Sequence, residues 1–399
     1  MSEALLETNL NLPNKRPGKV RDLYDVTLEV TSGGRPLDRV SSYTGLREIG
    51  VARAPDRNYN YITLNGKPVY LRGALHQSFH PDGIYQYPDD ATLRWDYEYA
   101  RRIGLNFLRI HIKTEIPRAL YWADKHGILI MEDQPNFAHF TEASRASWER
   151  VMRETVARDF NHPSIFSWCN FNETWGLFSK TDKGRRVYAP ETQDWVESVY
   201  KLTKQLDSTR LVEDNSPCNN DHVATDINTW HAYLPGYGWR ERLDQICRDT
   251  YEGSTWNYIG GRTQGRQPMF NSECGNVWGY EGSAGDGDWS WDYHIMINEF
   301  RRHPQCCGWL YTEHHDVINE WNGYWRYDRS NKYTGLPELV PGMTLKDLHN
   351  PFYIALEREL CRSVKPGQRV DVPVFASFMT ERAVGPKLRL EASLYGWNT

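Results

Sequence analysis

Eight short apolar runs, separated by longer amphipathic segments, constrain the fold of this chain more than any other feature. The first reads PVYLRGAL and the last CGWLYT, and the series occupies residues 68–75, 105–112, 128–133, 165–173, 211–215, 227–233, 269–273 and 307–312. Such alternation is typical of parallel strands joined by crossover helices. The pattern predicts an α/β protein with eight parallel strands.

Helical candidates lie between these runs. They are residues 90–103, 116–126, 142–160, 192–206, 293–302 and 348–360. The second is closed by Gly127 and the third by Asn161 and Pro163, residue types that end helices. Eight strands with interleaved helices form a (β/α)8 TIM barrel. An open doubly wound sheet is the alternative, and it is disfavoured because no GxGxxG turn follows the first strand.

The two ends of the chain differ in character from the middle. Residues 24–30 and 46–51 read as strands before the barrel, and residues 369–378 and 388–395 read as strands after it. We therefore expect an N-terminal extension with a β-domain remnant (1–60), a barrel (61–363) and the start of a C-terminal β-domain (364–399). Both ends resemble pieces of antiparallel domains, which predicts a truncated protein.

Composition excludes several functions. A formal net charge of −5 offers no basic surface for nucleic acid. No apolar stretch approaches the roughly 20 residues that span a bilayer, and the opening residues lack the apolar core of a secretory signal, so we expect a cytoplasmic protein without a membrane partner. The seven cysteines form no CxxC pair; we predict no disulfide framework, no metal and no other cofactor. The 16 tryptophans and 24 tyrosines favour a carbohydrate ligand, because sugar rings stack on indoles.

Two glutamates stand at the ends of predicted strands. Glu173 ends the fourth run and Glu273 ends the seventh. A barrel brings the C-terminal ends of its strands to one mouth, where catalytic groups collect. Two carboxylates facing one cleft are the minimum equipment for glycoside hydrolysis, and one of them has to hold a proton. Trp168, Phe171 and Trp175 crowd Glu173 in sequence, and if they also crowd it in space, desolvation favours its neutral form.

These residues also carry a resemblance to a known family. The stretches YITLNGKPVYLRGALHQSFHPDG, GLNFLRIHIKTEIPRALYWADKHGILIMEDQP, HPSIFSWCNFNETWG and QPMFNSECG resemble the barrel of glycoside hydrolase family 2, the β-galactosidase, β-mannosidase and β-glucuronidase group. With the segments after them, the resemblance covers about residues 44 to 363. It implies that Glu173 is the general acid/base, that Glu273 is the nucleophile, and that Asn172 hydrogen-bonds the sugar 2-hydroxyl.

The resemblance implies further substrate-binding residues. Tyr233 matches the tyrosine that orients the nucleophile, with His231 as a competitor for that role, and Trp309 matches an indole platform beneath the sugar. The remaining expected binding residues are His76, Arg109, His111, Asp133 and Trp175; Asp133 could instead pair with Arg109. The run from Glu313 to Asp316 resembles a metal cluster, but it lacks the helical i, i+4 spacing of metal ligands, so no metal is predicted.

Departures from the family pattern refine these expectations. The family places a jelly-roll domain and an immunoglobulin-like domain before the barrel, and here only a remnant of the second is expected. Cys274 follows the nucleophile where an aromatic residue is usual. Asn322 stands where glucuronidases carry a lysine, which disfavours a glucuronide. Residues 1–27 faintly resemble the start of SAICAR synthases, either by chance or through a junction that joins a foreign start to the barrel.

The predicted function is exo-acting hydrolysis of a neutral β-glycoside with retention of configuration. A β-galactoside is the first expectation, and a β-mannoside or β-glucoside follows. The alternative is a carbohydrate-binding barrel fragment with weak or no turnover. If the flanking domains are missing, an apolar flank of the barrel and unpaired edge strands would be exposed. Both would favour association between copies of the chain.

Overall fold

Eight parallel strands form the centre of the molecule in a computed structural model, which describes residues 5–10, 23–55, 57–180, 184–275, 289–356, 362–378 and 389–393. The strands are β1 (Leu71–His76), β2 (Phe107–Ile110), β3 (Leu129–Asp133), β4 (Ile165–Cys169), β5 (Leu211–Glu213), β6 (Asn228–Tyr233), β7 (Met269–Gly275) and β8 (Gly308–Tyr311). They are ordered β5–β4–β3–β2–β1–β8–β7–β6. Between the described residues of β5 and β6 the ladder is interrupted, and the Thr229 hydroxyl donates to the Glu213 carboxylate there. The predicted TIM barrel is confirmed.

Six helices cover the outside of the described barrel. They are α1 (Asp90–Arg102), α2 (Pro117–His126), α3 (Glu142–Asp159), α4 (Pro190–Leu206), α5 (Gly238–Asp249) and α6 (Asp292–Arg302). Five of them were predicted to within two residues at each end, because their ends carry ordinary signals: the Asp89 side chain accepts from the Thr92 N–H at the start of α1, and Gly127 ends α2 at a φ of 60°.

Two predictions about secondary structure were wrong or incomplete. The segment predicted as helix 348–360 contains the strand Phe352–Leu356, which pairs antiparallel with Val374–Phe378. Tyr353 and Ala355 are buried while Phe352 and Ile354 are exposed, so the pattern has the period of a strand. Helix α5 was missed because most of its side chains are charged or polar, although Trp239, Leu243 and Ile246 are its buried stripe.

Side chains alternate between two layers along the barrel strands. Those inside the barrel include Leu71, Phe107, Met131, Phe270 and Leu310, which form one buried cluster. Their neighbours along each strand pack outward against the helices in a second, larger cluster. Each layer excludes water, and stepping one residue along a strand moves a side chain from one layer to the other.

The flanking strands pair across both predicted domain boundaries. Before the barrel, Ile49–Arg53 pairs with Asn60–Leu64, and Leu23–Ser32 pairs with Arg35–Gly45. Residues 1–4 and 11–22 of the segment that resembles SAICAR synthase lie outside the described residues, as do residues 388, 394 and 395 of the predicted strand 388–395. The described part of that predicted strand, residues 389–393, does not form a strand. Across the described ranges, no helix is long and apolar enough to cross a membrane.

Candidate active site

The Glu173 and Glu273 carboxylates meet at the C-terminal mouth of the barrel. Glu173 lies just beyond β4, and Glu273 lies within β7. One carboxylate oxygen of each, together with a ring nitrogen of His231, forms a group whose atoms all lie within 4.8 Å of one another. The barrel therefore brings together two carboxylates from distant parts of the sequence.

The backbone that carries Glu173 adopts an unusual conformation. Glu173 and Thr174 have φ angles of 53° and 59°, in the left-handed region that non-glycine residues rarely enter. The segment after β5 holds them there. The Glu173 N–H donates to the Ser216 carbonyl at 2.8 Å, and the Thr174 N–H donates to Asn215 Oδ1 at 2.9 Å. Strained backbone that is held by its surroundings is typical of functional sites.

Both oxygens of Glu173 accept hydrogen bonds. Nδ1 of His231 lies 2.8 Å from Oε1, and Nε1 of Trp175 donates to Oε2 at 2.9 Å. Burial raises the pKa of Glu173, but the hydrogen bond and charge of His231, the Trp175 N–H and the more distant Arg109 outweigh it and bring the pKa to about 2. These partners therefore favour the ionised form of Glu173.

The condition for a neutral Glu173, crowding by its aromatic sequence neighbours, is not met by Trp168 and Phe171. Phe171 stacks on Trp148 in the outer layer, with ring centroids 5.0 Å apart, and the Trp168 indole donates to Asp207 at 2.9 Å. Both aromatic residues face the helices, so they pack away from the carboxylate that they flank in sequence.

Glu273 is surrounded by donors. The Tyr233 hydroxyl donates to Oε1, and Nη1 of Arg109 lies 3.5 Å and Nδ1 of His231 lies 3.3 Å from Oε2. Burial and then the charge of Glu273 raise the pKa of Tyr233 well above its usual value, so its hydroxyl stays protonated and donating. Tyr233 and His231, expected as competitors for one role, both contact Glu273.

Arg109 joins four strands inside the mouth of the barrel. Its Nε and Nη2 donate to the two oxygens of Asp133 at 2.9 and 2.8 Å, and Nη2 also donates to Asn172 Oδ1 at 2.8 Å. Burial raises the pKa of Asp133, but the charge and hydrogen bonds of Arg109 and His111 hold it below its usual value. Of the two roles open for Asp133, the structure shows the pairing with Arg109.

The orientation of Asn172 follows from this network. A guanidinium only donates hydrogen bonds, so the Asn172 atom facing Arg109 is its amide oxygen. The backbone of Asn172 is fixed by Asn136, whose side chain accepts from its N–H at 3.1 Å and donates to its carbonyl at 2.8 Å. The amide nitrogen of Asn172 is therefore the side-chain atom that is turned away from Arg109.

Two predicted binding residues lie elsewhere. Trp309 is fully buried and packs in the outer layer against Tyr293 and His349, while its neighbour Leu310 faces the barrel interior. His76 is fully buried, and its Nε2 lies 3.0 Å from the Tyr87 hydroxyl. Neither side chain has exposed surface or a hydrogen bond to Glu173 or Glu273 in the described structure. Arg109 is equally buried, but it contacts Asn172 and Glu273 directly. His111 and Trp175 are 15% and 44% exposed and remain at the mouth.

The residues after β8 do not converge on one point. Glu313 accepts from Gln77 at 2.9 Å, and Asp316 accepts from Lys332 at 2.5 Å. His314 and His315 instead gather with His76 and Asp96 in a buried group of potential metal ligands. Arg329 already donates to both oxygens of Asp96, at 2.8 and 3.0 Å, so a guanidinium supplies the positive charge of that group.

Sequence reasoning missed two features of the site. The first is Glu320, a third carboxylate that interacts with Glu273 and Glu173. Burial, and then the charges of those two glutamates, raise the pKa of Glu320. Ser216 Oγ lies 2.8 Å from Nε2 of His231 and 2.7 Å from Ser272 Oγ. These residues lie in irregular loops or in a bulged strand, where periodicity carries no signal.

Comparison with known proteins agrees with this geometry. The family model described as "Glycosyl hydrolases family 2, TIM barrel domain" matches residues 57–316. A β-glucuronidase of Pongo abelii is 25% identical over 281 residues, which cover 66% of this chain and 39% of that protein. A β-galactosidase of Enterobacter cloacae is 25% identical over 356 residues, which cover 83% of this chain and 31% of that protein. The matched part of the chain thus spans about 30 to 40% of the length of these two relatives.

The solved structures share the fold. A family 2 β-galacturonidase from Eisenbergiella tayi, bound to galacturonate, superposes with a TM-score of 0.63 at 18% identity, over 82% of this chain and 58% of that one. The family model matches well over half of this chain. The chain therefore belongs to glycosyl hydrolase family 2, through its TIM barrel domain.

Proposed function

We propose that this chain is a retaining, exo-acting β-glycosidase in which Glu273 is the nucleophile and Glu173 the general acid/base. The separation of the two carboxylates carries the proposal. One oxygen of each lies within 4.8 Å of the other. Retaining enzymes space the two groups by about 5 to 5.5 Å, whereas inverting enzymes need roughly 6.5 to 9.5 Å to admit a water. The short separation supports direct attack by a carboxylate.

The partners of each glutamate support its role. Tyr233, Arg109 and His231 all point hydrogen-bond donors at Glu273, so its oxygens accept and the carboxylate is the form that can attack an anomeric carbon. Glu173 lies nearer the solvent, with its side chain 20% exposed against 9% for Glu273. Access to water and to a leaving group is what an acid/base requires.

The reaction follows in two balanced steps. First, Glu273 bonds to the anomeric carbon while the glycosidic C–O bond breaks and Glu173 transfers its proton to the departing oxygen. Second, Glu173, now a carboxylate, takes a proton from water, whose oxygen displaces Glu273 from the anomeric carbon. Asn172 donates to the sugar 2-hydroxyl, a contact that strengthens as the ring becomes oxocarbenium-like.

A neutral sugar suits the charges at the mouth. The charges of Glu273 and Glu173 raise the pKa of Glu320, and a sugar carboxylate bound there would add a further negative charge. The Asn322 amide donates to the Thr312 carbonyl at 2.5 Å, and the Lys332 ammonium is buried against Asp316. We therefore propose a β-galactoside first, then a β-mannoside or β-glucoside, although relatives named for glucuronides make the glucuronide an essential comparison.

A panel of 4-nitrophenyl β-glycosides tests this proposal. We expect turnover of the galactoside, mannoside or glucoside and at least tenfold lower kcat/KM for the glucuronide. A mechanism-based 2-deoxy-2-fluoro glycoside of the preferred sugar should label Glu273, as read by peptide mass spectrometry. Ligand-induced stabilisation without turnover or labelling would instead identify a binding barrel. Preference for the glucuronide would overturn the neutral substrate.

Replacing each glutamate separates the two roles. Glu273→Ala should abolish turnover of every glycoside because no covalent intermediate forms. Glu173→Ala should retain activity on activated aryl glycosides, and azide should partly rescue it, since such leaving groups need little proton assistance. Glu154→Ala, on the exposed face of α3, is the matched control. Identical responses of the two active-site variants to leaving group and azide would refute the assignment.

A further inference from the structure

The hydrogen bonds of Glu173 stabilise its carboxylate form, whereas the proposed role as an acid requires the protonated form. Both of its oxygens face N–H groups, from His231 on Oε1 and from Trp175 on Oε2. An indole nitrogen is a donor only, so Oε2 carries no proton along that contact. A carboxyl oxygen can accept an N–H on one lone pair and carry a proton on the other, so these contacts do not forbid protonation. Each of them stabilises the carboxylate, however, and so opposes the protonated form that an acid needs. Replacing one of the two contacts would therefore favour the acid form of Glu173.

The burial of His231 and Trp175 indicates which of the two hydrogen bonds to Glu173 an incoming group can replace. His231 is 7% exposed, and its other ring nitrogen is anchored on Ser216 at 2.8 Å, which is in turn bonded to Ser272. The hydrogen bond on Oε2 comes from Trp175, which is 44% exposed and lies at the rim of the mouth. The contact on Oε2 is thus the one that an incoming group can replace.

The indole of Trp175 is held so that part of it stays open. Its backbone is fixed, because its N–H donates to the Asn172 carbonyl at 3.1 Å and its carbonyl accepts from Asn136 at 3.2 Å. The Arg186 guanidinium lies 4.6 Å from the ring centroid. An anchored indole with open surface beside the acid/base is suited to stacking against a flat ring.

We infer that Trp175 forms the aglycone subsite and that its N–H opposes protonation of Glu173 until a leaving group with a flat apolar face stacks on the indole and displaces the N–H from Oε2, whereupon Glu173 takes up a proton from solvent. The inference rests on the proposed function, in which Glu173 is the acid/base. The stacking chemistry is shared by an aryl group and by the C–H face of a pyranose. Trp175 is in this view a binding residue for the aglycone and a positioning residue for the acid.

Two substitutions separate the ring from its N–H. Trp175→Phe keeps an aromatic face and removes the donor to Glu173, whereas Trp175→Ala removes both. Trp122→Phe is the matched control, because the Trp122 indole also donates to a carboxylate, that of Asp90 at 2.8 Å, but on the outer surface of α2. Differences between the Trp175 and Trp122 variants thus report on the site alone.

The first measurement is the pH dependence of kcat/KM for a glycoside with a poor leaving group. Losing a hydrogen bond that stabilises the carboxylate raises the pKa of Glu173, so Trp175→Phe should move the basic limb upward by about one pH unit relative to wild type. Trp122→Phe should leave the limb in place. If the limb does not move in Trp175→Phe, the N–H does not govern the proton and the inference is overturned.

The second measurement needs no turnover. Calorimetry compares the binding of phenyl, glucosyl and methyl thio-β-galactosides, which are not readily hydrolysed. Wild type and Trp122→Phe should bind the phenyl or the glucosyl compound about fivefold more tightly than the methyl compound, and Trp175→Ala should lose that ratio. Tighter binding of the phenyl compound would indicate an aryl aglycone, and tighter binding of the glucosyl compound would indicate a sugar aglycone. An unchanged ratio in Trp175→Ala would overturn the subsite, whereas absent turnover and absent labelling of Glu273 would overturn only the proposed function.

Discussion

Replacing Arg109 by methionine tests how the catalytic end of the barrel is held together. Arg109 is fully buried and pairs with the buried Asp133 through two hydrogen bonds of 2.9 and 2.8 Å, while also contacting Asn172 and Glu273. Removing one partner of such a pair leaves an uncompensated buried charge and costs about 3 to 5 kcal/mol in the free energy of unfolding. For a barrel of this size the midpoint of thermal unfolding should fall by about 10 °C.

The pH dependence of that loss has a defined sign. In the wild type, Asp133 has a lowered pKa, so its contribution is present above the unfolded value of about 3.9 and is lost as the pH falls through the folded value. Without Arg109, burial dominates and raises the pKa of Asp133. The stability of Arg109→Met relative to wild type should therefore worsen as the pH rises from about 4. Adding Asp133→Asn should remove this slope, and the double variant should lose less than the sum of the single losses.

Arg118 provides a matched control. It makes the same two-bond pair with Asp90, at 2.6 and 2.8 Å, but on the surface, where solvent screens the charges. Arg118→Met should unfold within a degree or two of the wild type. Thermal and urea unfolding between pH 4 and 8 measure all four variants. Equal losses for Arg109→Met and Arg118→Met, or a loss independent of pH, would refute the buried-pair argument.

Three further predictions follow from single contacts. Tyr233→Phe removes the hydroxyl that donates to Glu273 and should lower kcat about 100-fold in steady-state assays. Trp309→Ala should cost about 3 to 5 kcal/mol in urea unfolding without changing KM, because this indole is fully buried; a raised KM would restore it as a sugar platform. At Gly308 (φ 152°) an added Cβ would lie 2.0 Å from a carbonyl oxygen, so Gly308→Ala should unfold far more readily than Gly66→Ala, whose φ is 73° in open space.

The barrel could be predicted because its signals are local and repeated. Each strand is a short apolar run, and most helices begin and end at residues with a defined capping geometry, as Asp89 and Gly127 show. Secondary structure was predicted wrongly where the hydrophobic pattern of an element was short or was hidden among charged residues. Residues 352–356 alternate over only five positions, and α5 carries its buried face on three residues among arginines and acids.

Site residues could be predicted only as far as the strand ends determine them. The two glutamates follow from the rule that catalytic groups gather at the C-terminal ends of strands. Trp309 did not, because the sequence does not tell which face of β8 a residue occupies, and a step of one residue separates the interior from the outer layer. Leu310 lies in the interior cluster and Trp309 in the outer one.

The protonation of Glu173 shows most clearly why local sequence is a poor guide to chemistry. Its sequence neighbours Trp168 and Phe171 are apolar and would raise its pKa, but strand geometry turns them toward the helices. Its spatial neighbour His231 comes from β6, and the strained turn after β4 places Trp175 against its second oxygen. The same turn that makes Glu173 accessible to a leaving group thus supplies a donor that opposes its protonation. In the role proposed for Glu173, displacement of that donor by an incoming ligand would favour the protonated form.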